Sequence, residues 1–363
     1  MIRYCAVVLL LVLNCYGYKF LVYSPIFGYS HTKFMGAIAD TLTEAGHDVT
    51  VLMPIIDYTQ EEKTGVTLTK KIIKVPADPR VVELIKYKAD RMSKMWTMQP
   101  NLLGALQISQ NITRTFYIQC ERVLSDKTLL KQLENEHFDV GIAEAFSICG
   151  LGVFESLKIP ASIATFSGVH LEAVASAIGE PINPSYVPGE WSTSGDRMTF
   201  TERFKNILSI EFGRKLLAGS FDTELEAFRG KFGRHFKGYE QLLAEASFVM
   251  TNSNPYIDFP RPMLHKTVPI GGITVSMDSA KNKLSPEWDA ILNERSCTVL
   301  VSFGSGAKAV HMPTKYMKSL LKVIESMPET TFIMKYEEEK TRLAVSPAKP
   351  PFESMVSSKR FAW

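Results

Sequence analysis

The sequence has little cysteine, 5 in 363 residues, and Cys5 and Cys15 fall within the first seventeen positions. The remaining three, Cys120, Cys149 and Cys297, are widely spaced and odd in number, which excludes a disulfide framework and a cysteine-based metal site. One bridge among them stays open, with buried free thiols as the expectation. Charge of one sign is also lacking. Lys plus Arg number 41 and Asp plus Glu 38, a formal +3, so nothing in the balance suggests a nucleic-acid partner. Beyond position 17 no apolar run reaches the roughly 18 residues of a membrane span. His170, His265 and His311 are isolated and lack metal-ligand spacing such as H-E-x-x-H. No short-period repeat is present.

With 45% hydrophobic residues the chain can build sizeable cores, and its length allows two domains of about 150 residues each. Residues 1–17 place Arg3 before an apolar run at 6–13, and Cys15-Tyr16-Gly17 sets small residues at −3 and −1. That is the pattern of a secretory signal peptide, the alternative being a buried first strand. The leader implies the secretory pathway, in the ER lumen or beyond the cell. There, the sequon Asn111-Ile112-Thr113 would be usable for glycosylation at Asn111.

The mature chain alternates strand and helix. An apolar run at 18–23 breaks at Ser24-Pro25, and Phe34, Ile38, Leu42 and Ala45 then fall at helical spacing. Gly46 stops that helix, and a strand follows at 48–53. Such a βαβ unit implies a parallel sheet. Strands are expected at 66–75, 139–143, 161–165 and 248–251, and helices at 79–98, 112–133 and 146–157. A Pro/Ser/Gly-rich segment at 181–197 leads into an amphipathic stretch at 199–217. Pro269-Ile270-Gly271-Gly272 and the polar run 276–285 look like an interdomain linker. A second βαβ follows, with strands at 298–303 and 331–335 and a helix at 314–326. The expected divisions are 1–17, 18–275, a linker at 276–290, a partial domain at 291–340 and a disordered tail at 341–363.

Ser30-His31 lies where the first strand turns into the first helix, at the carboxyl end where parallel sheets bind ligands. A free imidazole titrates near neutrality, so His31 is placed to be a general base, or else merely caps or solvates the helix. Glu144 also ends a strand. It could hydrogen-bond the far nitrogen of His31 and stabilise the imidazolium, or it is an acid favoured by a helix N-terminus. Asp139 begins the same strand, at the opposite end, and is set aside. Gly304-Ser305-Gly306 between strand and helix could offer backbone N–H groups to a phosphate, or is a plain tight turn.

Together, several strings resemble one family. Phe27-Gly28-Tyr29-Ser30-His31 resembles the acceptor-site turn of UDP-glucuronosyltransferases, especially those of nematodes. Phe138-Asp139-Val140, then Glu144 and Cys149-Gly150, resembles the strand bearing the family's catalytic acid. Pro184-Ser185-Tyr186-Val187-Pro188 and Asp196-Arg197-Met198-Thr199-Phe200 are similar to its helical insertion. Asn252-Ser253-Asn254-Pro255, Asp258-Phe259-Pro260-Arg261-Pro262 and Ile270-Gly271-Gly272 are similar to the run before the linker. Residues 299–305 (VLVSFGS) resemble the opening of the donor-binding domain.

The resemblance spans about 18–336 and implies an α/β GT-B fold of two Rossmann-like domains, the second incomplete. It implies transfer of a hexosyl or glucuronosyl group from UDP-glucuronic acid or UDP-glucose to a hydroxyl of a small lipophilic aglycone. The reaction would invert the anomeric carbon and require no metal. His31 would be the base, Glu144 would stand where the family has an aspartate, and Gly304 and Ser305 would meet the donor. Family members serve in xenobiotic conjugation, and pairing with relatives is a further implied partnership. After Tyr336 the W-x-P-Q and T-H-G-G segments and the membrane anchor of the family are not found in this sequence. Weak or lost donor binding is therefore expected, with no sugar transfer by the 363-residue chain. The alternative function is a non-catalytic member that binds lipophilic acceptors or associates with full-length relatives.

Overall fold

The computed structural model of the chain describes residues 17–93, 95–97, 102–278, 280, 282–304 and 306–337. The expected leader (apart from Gly17), the tail at 341–363 and Ser305 lie outside the described residues. In chain order, β1 (Lys19–Tyr23) leads to α1 (Tyr29–Glu44), β2 (Asp48–Pro54) and β3 (Lys71–Val75). Three helices follow, α2 (Pro79–Ser93), α3 (Leu102–Ser125) and α4 (Lys127–Asn135). Then come β4 (Val140–Glu144), α5 (Cys149–Ser156), β5 (Ala161–Phe166), α6 (Glu172–Ile178), α7 (Phe200–Phe232) and α8 (Tyr239–Glu245). The order closes with β6 (Phe248–Thr251), β7 (Thr267–Pro269), α9 (Pro286–Leu292), β8 (Cys297–Val301), α10 (Thr314–Glu325) and β9 (Thr330–Met334).

These elements form two compact units. One comprises residues up to 84 and 103–275, the other residues 85–102 and those from 276 on. The second unit thus takes in a segment that sequence reading assigns to the first domain. In the larger unit seven strands form one sheet, ordered β3-β2-β1-β4-β5-β6-β7, every neighbouring pair parallel. Both faces of a parallel sheet must be covered, and β1 obeys that rule residue by residue. Leu21 and Tyr23 face a core built from α3 to α8, while Phe20 and Val22 face Phe34, Met35 and Ile38 of α1. In the smaller unit β8 pairs in parallel with β9, and Trp96 donates its indole N–H to the Lys308 carbonyl and meets Phe303 edge-on.

Some differences between the expected and observed elements trace to specific bonds. The strand expected at 66–75 is confined to 71–75 because Asp40 of α1 accepts hydrogen bonds from the backbone of Thr67, Leu68 and Thr69. That straps the preceding loop onto α1. The helix expected at 112–133 is two helices, since the Asp126 carboxylate caps a fresh start by accepting from Leu129 N. The amphipathic stretch at 199–217 continues to Phe232, opened by a reciprocal Thr199–Glu202 capping box. Pro269 ends the edge strand β7 rather than opening a linker; its missing N–H is harmless at that place.

The cysteine expectation is corrected as well. Cys120 of α3 and Cys149 of α5 are joined in a buried disulfide, and Cys297 is free and exposed. Two helices packed on the same face of the sheet bring together residues 29 positions apart.

The strapped loop approaches α1 so closely that a side chain cannot intervene. A Cβ at Gly36 would lie 2.2 Å from the carbonyl oxygen of Gly65 and 2.4 Å from its carbon, both rigid backbone atoms. We expect Gly36→Ala to lower the urea midpoint, at roughly unchanged m, by an amount equivalent to about 1–3 kcal/mol of overpacking. A wild-type denaturation curve would contradict the packing described.

Candidate active site

The carboxyl ends of β1, β4 and β5 lie side by side in the sheet, so the residues leaving those strands converge although they are distant in sequence. His31 is the third residue of α1, one short loop after β1. Glu144 is the last residue of β4, and Ser167 directly follows β5. The structure brings the two sequence-chosen residues together. His31 Nδ1 stands 2.9 Å from Glu144 Oε1 and 2.9 Å from Oε2.

The carboxylate is an acceptor, so Nδ1 carries the proton and donates it, which fixes the tautomer with the Nε2 lone pair free. Among the described residues no group hydrogen-bonds Nε2. Ser167 completes the arrangement. Its backbone N–H donates to Glu144 Oε1 at 3.0 Å, and its Oγ lies 3.0 Å from His31 Nδ1. Asn252, following β6, donates its side-chain amide to the Ser167 carbonyl at 2.9 Å. The Glu144 side chain is 3% exposed and that of His31 22%. An ionic partner is therefore held in the interior while the ring it orients still reaches solvent.

Beside the ring stand two phenylalanines, backed by a third. Phe27 lies 4.3 Å from the imidazole between ring centres, and Phe146 lies 5.4 Å from it. Phe27 and Phe146 stack at 5.1 Å, and Phe116 of α3 meets Phe27 edge-on at 5.0 Å. Gly28 sits ahead of α1 in extended backbone, and a Cβ there would come within 3.2 Å of His31 Cδ2. Glycine leaves the ring its place. The arrangement can take a proton at Nε2 from a hydroxyl lying against an apolar aromatic wall.

Beneath this layer Glu224 of α7 is buried and accepts hydrogen bonds from Ser147 Oγ at 2.6 Å and Cys149 N at 3.1 Å. Burial, only partly opposed by those bonds, pushes its carboxyl up to about 7. His170, expected to be isolated, is buried and bonded to Glu180. Burial raises the Glu180 carboxyl, but His170, the Thr267 hydroxyl and Leu264 N outweigh it and hold the group below its ordinary range.

Gly304 belongs to the smaller unit, in the turn after β8, with φ +75°. Ser305 lies outside the described residues. Asn111 sits half-buried within α3, and the hydroxyl of its sequon partner Thr113 pairs with Ser220 Oγ at 2.6 Å. Among the described residues no helix is long and apolar enough to cross a membrane, and no three His, Cys, Asp or Glu side chains are grouped to hold a metal ion. Ser167, Phe116 and Glu224 escape sequence reading. Ser167 too leaves a strand at its carboxyl end, but a serine in that place is commonplace.

The family model described as UDP-glucoronosyl and UDP-glucosyl transferase matches residues 19–348. "Putative UDP-glucuronosyltransferase ugt-55" of Caenorhabditis elegans is 26% identical over 334 residues, covering 90% of this chain and 62% of its own length. UDP-glucuronosyltransferase 1A8 of Rattus norvegicus is 26% identical over 302 residues, covering 83% of this chain and 56% of its own. The chain thus spans about three-fifths of the length of the curated relatives it matches. Among solved structures, the glycotransferase of kitacinnamycin superposes with a TM-score of 0.52 at 11% identity, covering 93% of this chain and 70% of that one. That likeness speaks for the fold, which is the GT-B type expected from the sequence.

Proposed function

This chain belongs to the UDP-glucoronosyl and UDP-glucosyl transferase family, and on that premise we propose that His31 is the base that activates the hydroxyl of a small lipophilic acceptor for glycosyl transfer. Nε2 takes the hydroxyl proton as the oxygen attacks the anomeric carbon of a UDP-sugar. The C–O bond to the diphosphate breaks, UDP leaves with the electron pair, and the configuration inverts. Glu144 stabilises the imidazolium formed in that step. The proton acceptor is the protein's own imidazole, so the step needs no metal-bound base. Phe27 and Phe146 favour a flat, apolar acceptor such as a phenol. UDP-glucuronic acid or UDP-glucose is the proposed donor, with Gly304 and Ser305 as its proposed contacts.

One observation carries the reading: Glu144 holds Nδ1 from both oxygens at 2.9 Å and leaves Nε2 unengaged beside an aromatic wall. The acceptor half of the reaction can be tested without a donor, because 4-nitrophenol absorbs differently when ionised. At a pH just below its midpoint, the bound phenol should be more ionised than the free one, through proton transfer to His31. His31→Ala should remove that excess, a loss of about tenfold or more in the ionisation constant of the bound phenol. A bound phenol with the spectrum of the free one, in wild type and variant alike, would refute the assignment.

A further inference from the structure

Glu224 is a carboxylate in an apolar place. It lies on α7 at 1% exposure, between Phe221, Leu225 and Phe228, all of them fully buried. Stranding an acid there is costly unless it satisfies something else that would otherwise be stranded. Its partners show what that is. Ser147 Oγ donates to Glu224 Oε2 at 2.6 Å and Cys149 N donates to the same oxygen at 3.1 Å. Cys149 is the first residue of α5, whose own cap residue, Ile148, has no side chain that can accept a hydrogen bond. Cys149 N also donates to Ser147 Oγ at 3.3 Å, so the cap for α5 is shared between the turn itself and a carboxylate on another helix, 75 residues further along the chain.

The capped segment is the turn from Glu144 to Cys149, and it carries two components of the site. Glu144 opens it and holds His31; Phe146 projects from its middle and stacks on Phe27. The turn is pinned at its start, where Ala145 N donates to the Thr165 carbonyl at 2.7 Å. At its end it is pinned by Glu224 and by the disulfide to Cys120. Between those ends Ser147 is the sole side chain of the turn bonded to α7 among the described residues. Tyr23 of β1, also buried, feels the charge of Glu224 from the sheet side. The fold therefore places a polar clasp directly behind the residues proposed to orient and surround the base.

We propose that Glu224 is a positioning residue, which through Ser147 and the Cys149 N–H sets the Glu144 carboxylate against His31. The inference rests on the reading of His31 as acceptor base. Its chemistry is modest: no bond is made or broken at Glu224. What it fixes is the position of the Glu144 carboxylate relative to Nδ1, and misplacement by about 1 Å is enough to forfeit most of a proton-transfer advantage.

The test compares wild type with Glu224→Ala, Glu224→Gln and His31→Ala, using two probes of similar shape. 4-Nitrophenol reports affinity and ionisation together, whereas 4-nitroanisole has no proton to lose and reports affinity alone. Glu224→Ala is expected to reduce the ionisation constant of bound 4-nitrophenol by about tenfold while its 4-nitroanisole affinity stays within about twofold of wild type. Glu224→Gln, whose amide oxygen accepts from both Ser147 and Cys149 N, should restore the ionisation. Should Glu224→Ala fail to fold by circular dichroism, Ser147→Ala removes the side-chain donor to Glu224 and should move ionisation in the same direction.

Two outcomes overturn the proposal by itself. One is a Glu224→Ala spectrum like wild type while His31→Ala loses the ionised phenol. The other is a parallel loss of 4-nitroanisole affinity, which marks a general collapse of the pocket. If His31→Ala also keeps the ionised phenol, the base assignment falls and this inference falls with it.

Discussion

A variant with both Cys120→Ser and Cys149→Ser is expected to be about 3–4 kcal/mol less stable to urea than the wild type, the chain-entropy value for releasing a loop of this size. The bridge closes 29 residues between α3 and α5, a span that holds the end of α3, all of α4 and all of β4. Freed of the bridge, the unfolded chain expands, so the urea m-value should rise while the midpoint falls. The wild type unfolded and refolded in reductant should behave as the double variant does. A difference of under about 1 kcal/mol would show that the packing of α3 and α5 on the sheet holds this region without the bridge. Cys297 is an internal control: exposed and free, it should react with a thiol reagent in the native state.

The second large effect concerns Glu224 and runs against the usual direction of acid denaturation. Its carboxyl is pushed up to about 7 by burial, from an ordinary value of 4.5. Between those values the folded protein holds a proton that the unfolded chain has released. Stability contributed by the group is therefore fully present below about 4.5 and is lost as pH rises through about 7. Glu224→Gln removes this titration and keeps the acceptor oxygen. Relative to wild type, the variant should gain about 2–4 kcal/mol between about pH 5 and about pH 8. The check is a pair of urea curves at each pH. A difference between variant and wild type that does not change with pH would mean that Glu224 ionises inside the fold at no cost.

The site was legible in the sequence to the extent that it obeys strand topology. His31 and Glu144 could be chosen because each leaves the carboxyl end of a strand, and parallel sheets gather those ends. Ser167 satisfies the same criterion, yet a serine after a strand is commonplace and gives no signal of its own. Glu224 was hidden for another reason. It lies on a helix rich in charge, and only its place among Phe221, Leu225 and Phe228, on the buried side, sets it apart from its exposed neighbours. The Cys120–Cys149 bond depends on which helices share a face of the sheet, and a separation of 29 residues carries no information about that. The failures of element length were likewise tertiary. Asp40 shortened β3 by binding its approach, and Asp126 divided one expected helix into two.

One consequence follows from the order in which the parts of the site occur along the chain. His31 is made first, Glu144 comes 113 residues later and Ser167 136 residues after His31. Glu224 comes a further 77 residues beyond Ser147, its partner. At ordinary translation speeds that last interval is roughly 4 to 15 s. During synthesis, then, the imidazole and its carboxylate can meet well before the helix that clasps the turn behind them exists. For those seconds Ser147 and the amide of Cys149 lack Glu224 as a partner, and the cysteines of α3 and α5 can be close before α7 closes over them. A growing chain would pass through a stage with a paired imidazole and carboxylate and an open back, sealed only when the long helix arrives.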